Sequence, residues 1–142
     1  ELSLPFDRDQ DYTEKAISSF MEFKYAYPKD SLAASADSII TEMRNKLGHR
    51  AFFTADLYRK LYAPESALIY YDIVINEYAD TDYYQQAYVG KIEVLIELRR
   101  YDEALGIAQL YKVKFPEGDY ASEISALEQS ALSLKNQIEN TE

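Results

Sequence analysis

The stretch "ESALIYYDIVINEYA", Glu65 to Ala79, decides the fold because the chain contains two further versions of it. "EKAISSFMEFKYAYP" (14–28) and "DEALGIAQLYKVKFP" (102–116) align with it without gaps over 15 residues. Each has alanine in its third position, bulky residues at helical spacing, and a proline or alanine twelve residues after that alanine. A polar turn and a new helical pattern follow each one, so the repeated unit is a pair of helices joined by a tight turn.

The distances between the three copies differ. From Ala67 to Ala104 there are 37 residues, whereas from Ala16 to Ala67 there are 51. The extra 14 residues correspond to nearly four helical turns at about 3.6 residues per turn, so a helix can absorb them with its buried face almost in phase. Apolar residues do continue at spacings of three and four, which predicts one long helix over 31–62. Gly48 lies inside that helix at a cost of roughly 1 kcal/mol.

The whole chain is therefore predicted to be all-α. No segment shows the alternating pattern of a strand, and the predicted structure is one domain over 1–142, a helical repeat stack or α-solenoid of about six helices. The last helix has a polar side that suits a cap closing the stack against water. The predicted helices are 11–27, 31–62, 64–78, 82–99, 101–115 and 119–139.

Composition excludes several classes of function. The chain has 142 residues, 15 basic against 25 acidic side chains, and a formal net charge of -10, which disfavours nucleic acid and anionic membrane surfaces as partners. It has no cysteine, so disulfides and thiolate metal sites are excluded. No apolar run approaches the roughly 20 residues that span a bilayer. Because the chain begins without Met or a signal peptide, we expect a processed protein or a fragment.

The aspartates near the start of the chain permit two interpretations. Asp7, Asp9 and Asp11 are spaced as in a calcium loop, but that loop needs glycine at its sixth position and glutamate at its twelfth, where this chain has Tyr12 and Ser18. The alternative is helix-start chemistry, in which Asp11 caps a helix and Glu14, three residues on, reaches back to it. We favour the second interpretation and expect no metal and no cofactor.

The alanine, the aromatic four residues later in the first two copies and the proline twelve residues later in the first and third resemble the tetratricopeptide repeat. The order "FDRDQDYTEKAISSF", "YPKDS", "NKLGHRAFFTADLYRKLYAPESALIYYDIVINEYADTD" and "RRYDEAL" further resembles the C-terminal half of the tetratricopeptide lipoproteins of the bacterial outer-membrane β-barrel assembly machinery, the BamD or ComL type. The resemblance covers nearly the whole chain, with Ala79 where that family has proline. It implies that the chain is the C-terminal part of a larger repeat protein. It also implies that Asp7, Arg8, Asp9 and Asp11 form a structural joint between repeats.

Nothing in the sequence indicates catalysis. The only histidine, His49, has no partner at a recurring helical spacing, and there is no glycine-rich phosphate loop or nucleophile motif, so we predict that the protein is not an enzyme. The tetratricopeptide pattern instead implies a partner-binding groove. From the long helix it would be lined by Phe52, Asp56, Arg59 and Lys60, and from the next first-type helix by Gln86, Val89 and Glu93.

Tyrosine is concentrated in the middle of the chain, with eight of the 14 tyrosines between Tyr58 and Tyr88. Tyr58, Tyr71, Tyr78 and Tyr88 fall on the apolar rows that the repeat buries. We therefore predict that the other four, Tyr62, Tyr70, Tyr83 and Tyr84, face outward and contribute to partner binding.

Two functions follow as hypotheses. The resemblance implies a non-catalytic scaffold on the periplasmic face of the bacterial outer membrane, which would bind the barrel-assembly membrane protein and accessory lipoproteins and support the folding and insertion of outer-membrane proteins. Such a protein would meet the membrane only through a lipid anchor outside this sequence. The alternative is a free periplasmic tetratricopeptide adaptor that binds peptides or envelope-biogenesis proteins.

Overall fold

The computed structural model describes the backbone of residues 5–141 and the side chains of 10–30 and 32–141. In this part of the chain there are six helices and no strand, which confirms the predicted fold class. The helices are α1 (Pro5–Ala26), α2 (Ser31–Lys60), α3 (Pro64–Glu77), α4 (Tyr84–Glu97), α5 (Tyr101–Lys114) and α6 (Ala121–Glu139). The long helix is present as predicted, with 30 residues.

The start of α1 differs from the prediction. The helix begins at Pro5 rather than near Asp11, because proline is well suited to the first helical turn, where its missing N–H is not needed. Asp11 is therefore not a helix cap; it is exposed inside α1, with its carboxylate 3.8 Å from the ammonium of Lys15 one turn on. The side chains of Asp7, Arg8 and Asp9 lie outside the described residues, so their joint with other repeats stays a prediction.

The chain divides into two compact units, residues 1–47 and 48–142, and the single-domain organisation stays a prediction. In the first unit, α1 and the beginning of α2 bury small and branched side chains, among them Ile17, Ala36 and Ile40. The ammonium of Lys24 on α1 lies 2.5 Å from the carboxylate of Asp37 on α2.

In the second unit, each helix from α3 to α6 packs against the next along the chain, and α4 also contacts α6. Two of the three repeated alanines, Ala67 and Ala104, are completely buried, which explains why the repeat has a small residue there: a larger one would push neighbouring helices apart. The largest fully buried side chains are Tyr71, Tyr88, Tyr111, Ile92, Ile124, Val74 and Val94.

Close packing explains why a glycine, Gly48, occurs inside the long helix. A Cβ atom at this position would lie 2.8 Å from Oγ1 of Thr81, closer than real Cβ contacts. Thr81 is buried in the turn between α3 and α4, and its hydroxyl donates a hydrogen bond to the carbonyl of Tyr78 at 2.7 Å. The glycine therefore lets this turn lie directly against α2, which offsets its unfavourable helix propensity.

Candidate partner-binding site

A cleft of about 700 Å³ lies in the second unit, where α2 ends and α3 begins. Its lining combines charged side chains with an aromatic ring and a proline: Asp56, Arg59, Lys60, Tyr62, Pro64 and Glu97. Three of the predicted groove residues from the long helix, Asp56, Arg59 and Lys60, are therefore brought together as expected.

Arg59 is fixed by two carboxylates on the neighbouring helix. Its Nε donates to Oε1 of Glu97 at 2.8 Å, and its Nη1 donates to a carboxylate oxygen of Glu93. Burial alone lowers the pKa of Arg59, but the hydrogen bonds from Glu97 and Glu93 outweigh it, and the net effect raises the pKa. The guanidinium thus stays charged and ties α2 to α4, rather than offering a free charge to a ligand.

Asp56 is also committed to the fold. The hydroxyl of Tyr71, which is fully buried on α3, donates a hydrogen bond to the Asp56 carboxylate. Burial raises the pKa of Tyr71, and the carboxylate beside it raises that pKa further. Asp56 and Arg59, each bound to a residue of another helix, therefore form the floor of the cleft. Lys60 and Tyr62 are exposed at its edge.

Phe52, predicted in the groove, is half-buried in an aromatic layer. Its ring lies 5.9 Å from that of Tyr71, edge to face, and 5.6 Å from that of Tyr83. The imidazole of His49 lies 5.2 Å from the same Tyr83 ring. Of the groove residues predicted on α4, Val89 is buried and Gln86 half-buried, so the part of the prediction that gave Val89 to the groove is wrong.

The predicted inward tyrosines are mostly confirmed, since Tyr71, Tyr78 and Tyr88 are buried and Tyr58 is half-buried. Among the predicted outward tyrosines, only Tyr62 is freely exposed, with 94% of its surface accessible.

The other three predicted outward tyrosines, Tyr70, Tyr83 and Tyr84, are half-buried, so they face outward only in part, and their role in partner binding stays a prediction. Each contacts a ring from another element or turn: Tyr70 stacks on Tyr58 at 5.4 Å, and Tyr84 meets Phe115 edge to face at the same distance. Crossing helices bring these rings together, which spacing along one helix does not reveal.

Sequence reasoning missed Pro64 and Glu97 as cleft residues. The signal for Glu97 was available, because Glu93 and Glu97 are four residues apart and share one face of α4, where two carboxylates attract a cation from a neighbouring helix. In the described part of the chain no group of three or more metal-ligating side chains occurs, and no helix there is long and apolar enough to cross a bilayer.

Paired helices repeating at 37 residues, with alanines buried at the helix contacts and a cleft on one side, define a tetratricopeptide-like repeat protein. The family model for the outer membrane lipoproteins called YfiO matches residues 2–104, and the chain belongs to that family. The comparison with curated proteins found no match. The family confirms the resemblance drawn from the sequence and associates the chain with outer membrane protein assembly.

Proposed function

We propose that this protein is a non-catalytic scaffold that binds other proteins of the outer-membrane β-barrel assembly complex at the periplasmic face of the membrane. It would thereby support the folding and insertion of outer-membrane proteins. The observation that supports this most is the cleft, in which Asp56 is hydrogen-bonded to Tyr71 and Arg59 is paired with Glu93 and Glu97. Each of these groups is held by a hydrogen bond or an ion pair within the fold, so together they hold a surface in place and are not poised for proton transfer or nucleophilic attack.

The edge of the cleft has the chemistry of a binding surface. Tyr62 offers a large ring with a polar tip, and Lys60 beside it is exposed. Exposed tyrosines of this kind contribute strongly to protein interfaces because they lose little conformational freedom on binding. Membership in an outer membrane lipoprotein family favours an anchored scaffold over a free periplasmic adaptor, and attachment through lipid is part of the proposal.

Affinity purification of the complete protein from its own cells tests this proposal. We expect barrel-assembly proteins to co-purify, and we expect Tyr62→Ala to weaken their capture by at least about fivefold, which corresponds to roughly 1 kcal/mol. Tyr25→Ala is the matched control, since Tyr25 on α1 is likewise 91% exposed. Capture of no assembly protein by the parent would contradict the scaffold function.

A further inference from the structure

The helices α2 and α4 end in the same way. At the end of α2 the amide of Ala63 donates to the carbonyl of Tyr58 at 2.9 Å, and that of Tyr62 donates to Arg59 at 3.1 Å. At the end of α4 the amide of Arg100 donates to Leu95 at 2.8 Å, and that of Arg99 donates to Ile96 at 2.9 Å. This pair of bonds is the Schellman motif, which places one residue in the left-handed conformation.

That residue is normally glycine, because a Cβ atom is strained there. Here it is Tyr62, with φ 58°, and Arg99, with φ 60°, and no other non-glycine residue in the described part of the chain has positive φ. Tyr62 and Arg99 are 37 residues apart, the same distance as Ala67 and Ala104, so they are equivalent positions of successive repeats.

Neither side chain gains anything from the fold that would offset this strain. Tyr62 is 94% exposed and Arg99 is exposed, with no ion pair to a described residue. Exposed side chains held in a strained conformation are candidates for contacts outside the chain.

The two turns lie beside each other and are held firmly. Arg59, in the last turn of α2, bonds Glu97 at the end of α4. The guanidinium of Arg100 lies 3.7 Å from the carboxylate of Glu65 in the first turn of α3. These ion pairs link the two turns to each other, and Tyr62 is exposed on the surface that they form.

The pairing also shows which positive charges are available. Arg59 and Arg100 form ion pairs that link the two turns, whereas Lys60 and Arg99 form no ion pair with any side chain that the structure describes. The chain has a net charge of -10, so acidic side chains are in excess, yet these two cations on adjacent turns have no carboxylate partner among the described residues. A carboxylate of a ligand would be repelled by most of this protein, but at Lys60 and Arg99 it meets cations that no described carboxylate of the chain has paired.

We propose that an acidic segment of a partner protein docks on a surface formed by Lys60, Tyr62, Pro64 and Arg99, which we call the turn surface. Carboxylates of that segment pair with Lys60 and Arg99, and an apolar side chain next to them packs on Tyr62 and Pro64. This inference rests on the proposed binding function and adds to it the chemistry of the partner.

Photo-crosslinking from position 62 tests the inference directly. A benzophenone amino acid replaces Tyr62 in the complete protein in its own cells, and the crosslinked segment is sequenced by mass spectrometry. We expect a protein segment with several Asp or Glu residues beside an apolar one. A phospholipid adduct, a basic or uncharged segment, or no adduct would overturn the proposal.

Charge variants give the quantitative arm. Lys60→Glu combined with Arg99→Glu should lower the yield of that crosslink at least tenfold. Lys29→Glu, which reverses another exposed lysine without an ion pair to any described side chain, should leave the yield unchanged. An equal yield from the double variant and the parent would overturn the proposal.

Replacing the strained residue separates a binding role from a structural one. Tyr62→Gly should raise Tm by about 2–3 °C, since strain is relieved, while capture of the acidic segment falls at least fivefold. A rise in Tm with undiminished capture would show that the tyrosine serves only the turn and would overturn the inference.

The two proposals can fail separately. If the crosslinked acidic segment belongs to a protein outside the barrel-assembly complex and no assembly protein co-purifies, the turn surface stands and the proposed function is wrong. If assembly proteins co-purify but no acidic segment crosslinks, the proposed function stands and the turn surface is wrong.

Discussion

Gly90 on α4 is the position where adding a single methyl group should most clearly disturb the second unit. A Cβ atom there would lie well under 3.0 Å from the ring of Tyr71, a distance that real Cβ atoms essentially never show. The ring has little room to move. It is fully buried, its hydroxyl is bonded to Asp56, and Phe52 packs against it at 5.9 Å.

The expected effect of Gly90→Ala is the difference of two opposing terms. Alanine in place of glycine inside a helix gains about 1 kcal/mol. Overpacking a well-filled core costs about 1–3 kcal/mol, and displacing the Tyr71 hydroxyl from Asp56 costs about 1–2 kcal/mol more. The net result is a loss of about 1–4 kcal/mol of unfolding free energy. For a chain of this size, roughly 3–4 °C per kcal/mol then gives a fall in Tm of about 3–16 °C.

Gly106→Ala is the matched control, because Gly106 also lies inside a helix, α5, but an added Cβ would meet no atom within 4 Å. Here only the helix-propensity gain applies, and the variant should be about 1 kcal/mol more stable. Urea unfolding followed by circular dichroism measures both variants. The reasoning is refuted if the two substitutions change stability in the same direction.

Further predictions concern the stability of variants at Tyr71, Tyr84 and Arg59. Because the pKa of Tyr71 is raised in the folded state, its hydroxyl contributes fully to the stability of the fold below the unfolded pKa of about 10, and this contribution is lost as the pH rises above that value. Tyr71→Phe should therefore flatten the fall of Tm at alkaline pH. An unchanged fall would exclude Tyr71 as its source. Tyr84→Ala should cost about 1–3 kcal/mol in thermal unfolding and Tyr62→Ala less than about 0.5; equal costs would contradict their assigned burial. Arg59→Met should destabilise by about 1–2 kcal/mol by leaving the half-buried Glu93 and the exposed Glu97 without their partner, with Glu93→Gln restoring part of the loss; no restoration would argue against the ion pair.

Local sequence rules predicted the helices well, and one of them was applied too narrowly. Pro64 was used as the first residue of a helix, and α3 does begin there. The same rule applied to Pro5 gives the observed start of α1, whereas the capping pattern of Asp11 and Glu14 predicts a later start. The 14-residue insertion was placed correctly because it preserves helical phase, a property that periodicity detects directly.

The parts of the site that were missed depend on contacts between elements distant in sequence. Tyr83 does not belong to a series of apolar residues at helical spacing, yet it packs against Phe52, which is 31 residues earlier on α2. Gly90 and Gly48 both look unfavourable within a helix, and only the positions of Tyr71 and Thr81 show that each glycine makes room for a neighbour. Such contacts depend on how the helices cross, which single-helix periodicity does not specify.

Charge type alone was a poor guide to the binding surface, and the pairing of charges is a better one. Arg59 and Lys60 are adjacent in sequence and both were predicted to bind a partner, but Arg59 is held by Glu93 and Glu97 while Lys60 is exposed. With 25 acidic side chains against 15 basic ones, a cation in this chain has carboxylates in excess to pair with. An exposed cation without such a pair therefore costs the fold an available interaction. Two such cations stand on adjacent turns, and the acidic partner that we propose would supply the pairs that they lack among the described residues.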